Sequence, residues 1–431
     1  MKRGYVNQQN EVVLIDMYVL TLQNHYCNNQ QTTAKNDCHN RSGKLFMKKL
    51  RVFEAFAGIG AQAAALKRLN AKYEVVGISE WMVDAVICYD AIHNSGEKVV
   101  EVPDYKEQLD YLSEFDFSRD STKKTNLRLL DPETLKRLYI ANKRSGNLGS
   151  IAQLTGKAMP KCDLLIYSFP CQDLSTGGNG YGMKKGSGTR SSLLWEVERI
   201  LEELEALGKL PKYLLMENVK TILCAAFKDD LKAFLRFLER KGYHNDLPMK
   251  LNALDFGIPQ DRVRAFIVSK LGDHPLSVSG KINFATQERK FDATKFLKLD
   301  YINEVLRNEA DMAQLNATPS RMVMWDKNGM DANAETIIRT ITCNMDRTQT
   351  AALFKYNGIL GETFRRLTIR EAFLFMGFTE DEYERTLHLD FTYRRMNKLI
   401  GNSIVVNVLT EIFREMFGGR YNIERKKEVN L

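Results

Sequence analysis

What is scarce in this 431-residue chain narrows its class before any motif is read. The seven cysteines, at 27, 38, 88, 162, 171, 224 and 343, form no C-x-x-C pair, and with six histidines they show no spacing suited to zinc. No metal is expected. An odd, unpaired cysteine set suits a reducing compartment, which predicts a cytoplasmic protein. No apolar run approaches the ~20 residues that cross a bilayer. Residues 12–22 are apolar but carry Asp16 and lack a small-residue cleavage site after them, so neither a membrane span nor a signal peptide is expected. Internal repeats and low-complexity tracts are also missing. Hydrophobic residues make up 44% and charged residues 27%, which excludes a disordered chain, and the length suits one large domain with a smaller companion. The net charge of +8 suits a polyanionic partner, although many proteins are mildly basic.

Residues 1–46 are rich in Asn and Gln and show no sustained period. The texture changes at Met47, where a short basic lead enters an apolar strand; Met47 is read as the natural start and 1–46 as an extension. From 50 to about 270, apolar runs (50–57, 73–80, 163–169, 213–218 and 264–269) alternate with amphipathic stretches (61–69, 83–93, 193–207 and 231–241). Such alternation predicts an α/β fold with a mostly parallel sheet covered on both faces. Residues 105–157 are polar and less regular and read as an elaborated crossover. The alternation fades over 272–362, and helical patterning returns at 368–376 and 402–417. The expected organisation is an extension (1–46), a catalytic and cofactor-binding domain (47–271), a smaller domain (272–362) and a C-terminal segment (363–431) that returns to the first domain.

The segment F-E-A-F-A-G-I-G-A-Q at 53–62 places Gly58 and Gly60 after a strand and before a helix, where glycine lets backbone approach a ligand. Glu80, 20 residues past Gly60, can bind ribose hydroxyls, and Trp81 offers an aromatic face. This loop alone fits a nicotinamide dinucleotide as well as a phosphate-free nucleoside. No basic residue lies between Glu54 and Leu66, which is compatible with a ligand that carries no phosphate.

A second group of residues carries the chemistry. D-L-L-I-Y-S-F-P-C-Q-D-L-S (163–175) is a buried strand followed by Cys171 on the carboxyl-end loop, where open α/β sheets place their sites. A lone cysteine is more often core, but this one sits between Pro170 and Gln172 and precedes a glycine-rich, basic loop (176–190) that could close over a substrate. A thiol near pKa ~8.5 gains nucleophilicity beside positive charge, and Arg190, Arg262 and Arg264 are the candidates. P-K-Y-L-L-M-E-N-V (211–219) puts Glu217 at another strand end; read alone, Glu-Asn there is more often a helix cap. In Q-D-R-V-R (260–264), Arg262 and Arg264 alternate and so face one side, where two guanidinium groups can hold a carbonyl oxygen or phosphate.

Taken in order, these segments resemble the bacterial DNA cytosine-5 methyltransferase family. F-A-G-I-G (56–60), Glu80-Trp81, F-P-C-Q (169–172), Glu217-Asn218-Val219, Q-D-R-V-R (260–264), R-R-L-T-I-R-E-A-F-L-F-M-G-F (365–378) and G-N-S-I (401–404) match its motifs. S-F-P-C-Q-D-L-S and P-K-Y-L-L-M-E-N-V-K look similar to the small CpG-modifying bacterial members, although the T-I-T segment (340–342) is followed by different residues, so CpG specificity is not carried over. The resemblance implies a Rossmann-like S-adenosylmethionine-dependent methyltransferase domain and makes 272–362 a target-recognition domain. It implies that Phe56, Ala57, Gly58, Gly60, Glu80 and Trp81 hold the cofactor, helped by Pro170, Leu193, Asn402 and Ser403. It makes Cys171 the nucleophile toward C6 of a flipped cytosine, with Glu217 at N3 and Arg264, supported by Arg262, at the pyrimidine oxygen. Where the family often has an acidic residue before isoleucine at the adenine, this chain has Ser150-Ile151.

The expected partner is double-stranded DNA, bound by a monomer of bacterial, plasmid or phage origin; any cognate restriction endonuclease in the same system is expected to form no stable complex with it, and the sequence does not say whether one accompanies it. Rival readings are a tRNA cytosine-5 methyltransferase, a catalytically dead DNA-binding regulator on the same fold, and a dinucleotide oxidoreductase. The last leaves Pro-Cys-Gln and the closing motifs unexplained.

Overall fold

The computed structural model describes residues 48–424 apart from 95, 97–98, 175–181, 283–290 and 346–348. The expected extension 1–46, the start at Met47 and part of the glycine-rich loop lie outside them. The chain alternates strands and helices: β1 (Leu50–Ala55), α1 (Ala61–Arg68), β2 (Tyr73–Ser79), α2 (Val83–His93), α3 (Tyr105–Leu112), α4 (Pro132–Ser145), β3 (Leu164–Tyr167), α5 (Leu194–Ala206), β4 (Tyr213–Val219) and α6 (Lys228–Arg240). Three short strands follow, β5 (Tyr243–Asn245), β6 (Met249–Asn252) and β7 (Gln260–Asp261), and then the long β8 (Val263–Leu271).

Strands β2-β1-β3-β4 run parallel in that order, and β8 lies antiparallel beside β4 with β5 and β6 on its far edge. Runs such as LLIY in β3 and YLLM in β4 are buried throughout because both faces are covered. The period of two sorts their side chains. Val52, Leu164, Ile166, Leu215 and Phe266 join the core built with α1, α2 and α4, whereas Phe53, Leu165, Tyr167, Leu214 and Met216 pack with α5 and α6.

The antiparallel turn of β8 matters most for the site. Its register pairs Val219 with Arg264, so the start of β8 lies at the same edge as the carboxyl ends of the parallel strands.

Residues 105–157 are more regular than their polarity predicts. Asp104 and Asp131 cap α3 and α4, Pro132 opens α4, and Gly146 closes it at φ 58°, so local capping builds two helices whose outer faces stay polar.

Beyond β8 come α7 (Glu304–Ala313), β9 (Gln314–Leu315), α8 (Pro319–Asn328), β10 (Gly329–Met330), β11 (Ile338–Arg339), β12 (Leu353–Gly358) and β13 (Gly361–Arg365). Strands β10-β12-β13-β9 form a second sheet, with Trp325 stacked on Phe364. Strand β11 leaves it to pair in parallel with β7, which fastens this unit beside the start of β8. The chain then returns through α9 (Ile369–Phe375), α10 (Glu380–Glu384), α11 (Tyr393–Asn402) and α12 (Val406–Phe417). Helix α12 packs on α1 at the other end of the sequence. The helical patterning expected over 402–417 is interrupted: α11 ends at Asn402 and residues 403–405 are non-helical.

Candidate active site

Along the carboxyl edge of the sheet lies a cavity of about 320 Å³ whose wall includes every residue proposed from sequence for cofactor or catalysis except Gly60. In its first half the chain leaves β1 through Phe56 at φ 57° and Gly58 at φ 58°, a left-handed path. A Cβ on Gly58 would meet nothing within 4 Å, so the glycine leaves room beside the backbone as well as relieving strain. Gly60, the N-cap of α1 at φ 79°, serves differently. A Cβ there would stand 2.3 Å from His93 Nε2 and 2.7 Å from Tyr89, so this glycine lets the loop pack on α2.

Glu80 closes the loop from below. Its Oε2 accepts from Gly58 N at 2.9 Å and its Oε1 from Met82 N at 2.8 Å. Burial pushes its carboxyl up, against the pull of those amides. Asn147 fixes the backbone of Glu80, accepting from its N at 2.9 Å and donating to its O at 3.0 Å. Trp81 supplies an aromatic wall, Ser150-Ile151 faces the same space with a hydroxyl in place of a carboxylate, and Asn402 and Ser403 close it at the break between α11 and α12.

In the second half, Cys171 follows Phe169-Pro170 after β3. Asn218 Nδ2 donates to Phe169 O at 2.9 Å, Ser191 Oγ to Pro170 O at 2.7 Å and Thr221 Oγ1 to Leu174 O at 2.6 Å, so the turn is held on three sides. Glu217, buried at the end of β4, accepts from Ser168 Oγ and lies 3.6 Å from Arg264 Nε. Burial, helped by the Glu217 charge, pushes the Cys171 thiol up, while Arg264 and Arg262 pull it down. The expected activation by positive charge is therefore present but outweighed in the free protein. Arg190 lines the same cavity.

Arg262 and Arg264 both line the cavity, and Arg262 falls in the one-residue gap between β7 and β8. Its guanidinium is buried and donates to Ile341 O at 2.7 Å, Gly401 O at 3.1 Å and Ser403 O at 2.8 Å. It holds the β11 segment and the α11–α12 break to the main sheet, and its Nε lacks an acceptor among the described residues. Asn147, Ser168 and Asn218 were not singled out as site residues from sequence. Only Asn218, beside Glu217, had a local signal.

No group of three or more metal-ligating side chains occurs among the described residues, and no helix there is long and apolar enough to cross a membrane. The mostly parallel α/β sheet, covered by helices on both faces and with Cys171 at its carboxyl edge, is the fold of S-adenosylmethionine-dependent methyltransferases. The model of the family described as C-5 cytosine-specific DNA methylase matches residues 129–418, and the chain belongs to that family.

The chain is 36% identical over 397 residues to the orphan methyltransferase M.SssI of Spiroplasma monobiae, covering 86% of this chain and 98% of that protein. It is equally 36% identical over 378 residues to the type II methyltransferase M2.ScrFI of Lactococcus lactis subsp. cremoris, covering 85% and 99%. Among solved structures, S. pombe Dnmt2 methyltransferase superposes with a TM-score of 0.57 at 18% identity, over 85% of this chain and 97% of that one. The Entamoeba histolytica methyltransferase EhMeth gives 0.54 at 16%, over 86% and 98%. At these identities the two structures show the fold. The protein is a DNA (cytosine-5-)-methyltransferase.

Proposed function

We propose that the chain methylates C5 of a cytosine flipped out of duplex DNA, with S-adenosylmethionine as donor and a covalent Cys171 adduct as intermediate. The observation that carries this reading is the convergence of Cys171, Glu217 and Arg264, from the ends of β3 and β4 and the start of β8, on a cavity shared with Glu80 and Trp81. The donor fits its half of the cavity. Glu80 offers a carboxylate to a ribose diol, Trp81 an aromatic face to adenine, and Gly58 leaves room; the loop carries no cation for a phosphate. When bound, S-adenosylmethionine supplies an electrophilic methyl group.

The protein's own residues perform the rest. Cys171 gives up its thiol proton and Glu217 takes one up; the thiolate then forms a bond to C6 and opens the C5–C6 double bond, while Glu217 gives that proton to N3 and Arg264 holds the pyrimidine oxygen. Addition of Cys171 makes C5 electron-rich, and there a methyl group from S-adenosylmethionine held by Glu80, Trp81 and the Gly58 turn would be received. Loss of the C5 proton to a base and expulsion of the thiolate restore the ring, and N3 returns its proton to Glu217. Flipping costs a few kcal/mol, which phosphate contacts and a snug pocket offset. Residues 272–362 are assigned to reading the DNA sequence, and Gly60 and Arg262 to positioning. The protein acts as a monomer in the cytoplasm, without a stable complex with any companion endonuclease.

Cys171→Ser is expected to abolish methyl transfer in a tritiated-methyl assay while duplex binding survives. Wild-type protein is expected to form a denaturant-stable adduct with DNA containing 5-fluorocytosine, where no removable C5 proton remains. An active enzyme that forms no adduct would overturn covalent catalysis. Methylation of a tRNA substrate in preference to duplex DNA would overturn the substrate.

A further inference from the structure

The reaction as written leaves the hydroxyl of Ser168 unused. Ser168 is the first residue after β3, half-buried on the cavity wall and three residues before the nucleophile. Its Oγ donates to Oε2 of Glu217, from a position 49 residues earlier in the chain. The other carboxyl oxygen, Oε1, faces Arg264 Nε at 3.6 Å. The carboxyl is thus held from two sides by groups of different capability. A guanidinium can only donate, whereas a hydroxyl can donate or accept. Glu217 alternates between carboxylate and carboxylic acid as it exchanges a proton with N3. A neutral carboxyl still accepts through its carbonyl oxygen, so both neighbours can keep their contact, but only Ser168 can also accept from the carboxyl O–H when the proton sits on its side.

We propose that Ser168 is a positioning residue for Glu217, holding one carboxyl oxygen through the proton exchange so that the other end of the group stays aimed at N3 of the target ring. The proposal rests on the reaction described above. Glu217 is only 6% exposed, so an oxygen stripped of its donor there is poorly solvated, and the neutral carboxyl is favoured. Removing the hydroxyl should therefore move the Glu217-dependent limb of the pH–rate profile toward higher pH, on whichever side of the optimum that limb lies.

The test is single-turnover methyl transfer to unmethylated duplex DNA at saturating donor, from pH 5.5 to 9, for wild type, Ser168→Ala, Ser168→Thr and Glu217→Gln. Ser168→Ala is expected to lose about tenfold in rate, with its limb displaced upward by about one pH unit, the size of a lost hydrogen bond to a charged group. Its KM for S-adenosylmethionine should stay unchanged. Ser168→Thr, which keeps the hydroxyl, should recover most of the rate and the wild-type limb. If Ser168→Ala is not recovered folded, Ser168→Gly removes the same hydroxyl and carries the same expectation. A wild-type rate and profile in Ser168→Ala would overturn the proposal. So would equal losses in the Ala and Thr variants with no displaced limb, which would make the residue a matter of shape. Full activity in Glu217→Gln, or no DNA methylation by wild type, would instead overturn the underlying reaction.

Discussion

Cys171 lies in a contest between burial and charge. Burial and the carboxylate of Glu217 keep its thiol above the ordinary range, and Arg264 and Arg262 only partly compensate. The free enzyme thus holds a mostly protonated nucleophile. Alkylation of Cys171 by iodoacetamide, followed by peptide mass spectrometry to separate it from exposed Cys224, is expected to be still accelerating at pH 9. Glu217→Gln removes a charge that raises the thiol and should speed alkylation at pH 8 by roughly threefold, whereas Arg264→Met should slow it by a similar factor. A thiol equally reactive in all three proteins would show that these charges do not reach the sulfur. The sequence announced Cys171 and Glu217 together, since the carboxyl ends of parallel strands share one edge; Arg264, at the start of its strand, joins them because β8 runs antiparallel. The sequence could not announce the balance, which depends on how deeply the turn after β3 is buried.

At the scale of elements, the join between the second sheet and the returning C-terminal helices depends on one buried carboxylate. Glu371, in the first turn of α9, forms a two-pronged pair with Arg365 at the end of β13, with both contacts at 2.8 Å and both side chains fully buried. It also accepts from Thr368 N, completing a capping box, and from Lys298 N at 2.9 Å. Glu371→Gln leaves the Arg365 guanidinium buried without its counter-charge. Urea unfolding should show a loss of about 3–5 kcal/mol, the scale for breaking one side of a buried ion pair. Thr368 followed by Glu371 is readable from sequence as a helix start, and the helix was expected there. Its buried partner was not readable, because Arg365 looks like any surface arginine beside Arg366. The same limit applies to β7, β9, β10 and β11. Each is two residues long and too short to show a period, so the edges of the second sheet and the β7–β11 pairing left no signal in the sequence.

For the molecule as a whole, Arg262 is the residue that joins three separate stretches of chain. From the start of β8 it reaches Ile341 O beside β11 and Gly401 O and Ser403 O at the cofactor wall. Gly401 presses on the same segment, where a Cβ would stand 2.4 Å from Cys343 N. The side proposed to read DNA and the side proposed to hold the donor are therefore tied through one guanidinium. Arg262→Ala should weaken S-adenosylmethionine binding and duplex binding together, each by about tenfold, the scale of one or two lost charge-assisted hydrogen bonds. Calorimetry with each ligand separately checks this; loss of one affinity with the other intact would confine Arg262 to a single site. Alternation in Q-D-R-V-R predicted the two arginines side by side. Both line one cavity, but the acceptors that hold Arg262 lie 79 and more residues away, so nothing beside it in the sequence announces them.

The packing of α12 on α1 has a consequence for synthesis. Lys72 N donates to Tyr421 O at 2.7 Å, and Arg68 reaches Asn407, so the first layer of the sheet is completed by residues made 339 and more positions later. A ribosome that has already released Cys171, Glu217 and Arg264 still holds a chain without Asn402, Ser403 and α12. Such a nascent or prematurely stopped polypeptide has its nucleophile but no closed donor wall. Methyl transfer, as proposed, then waits until α12 has been translated and has docked on α1.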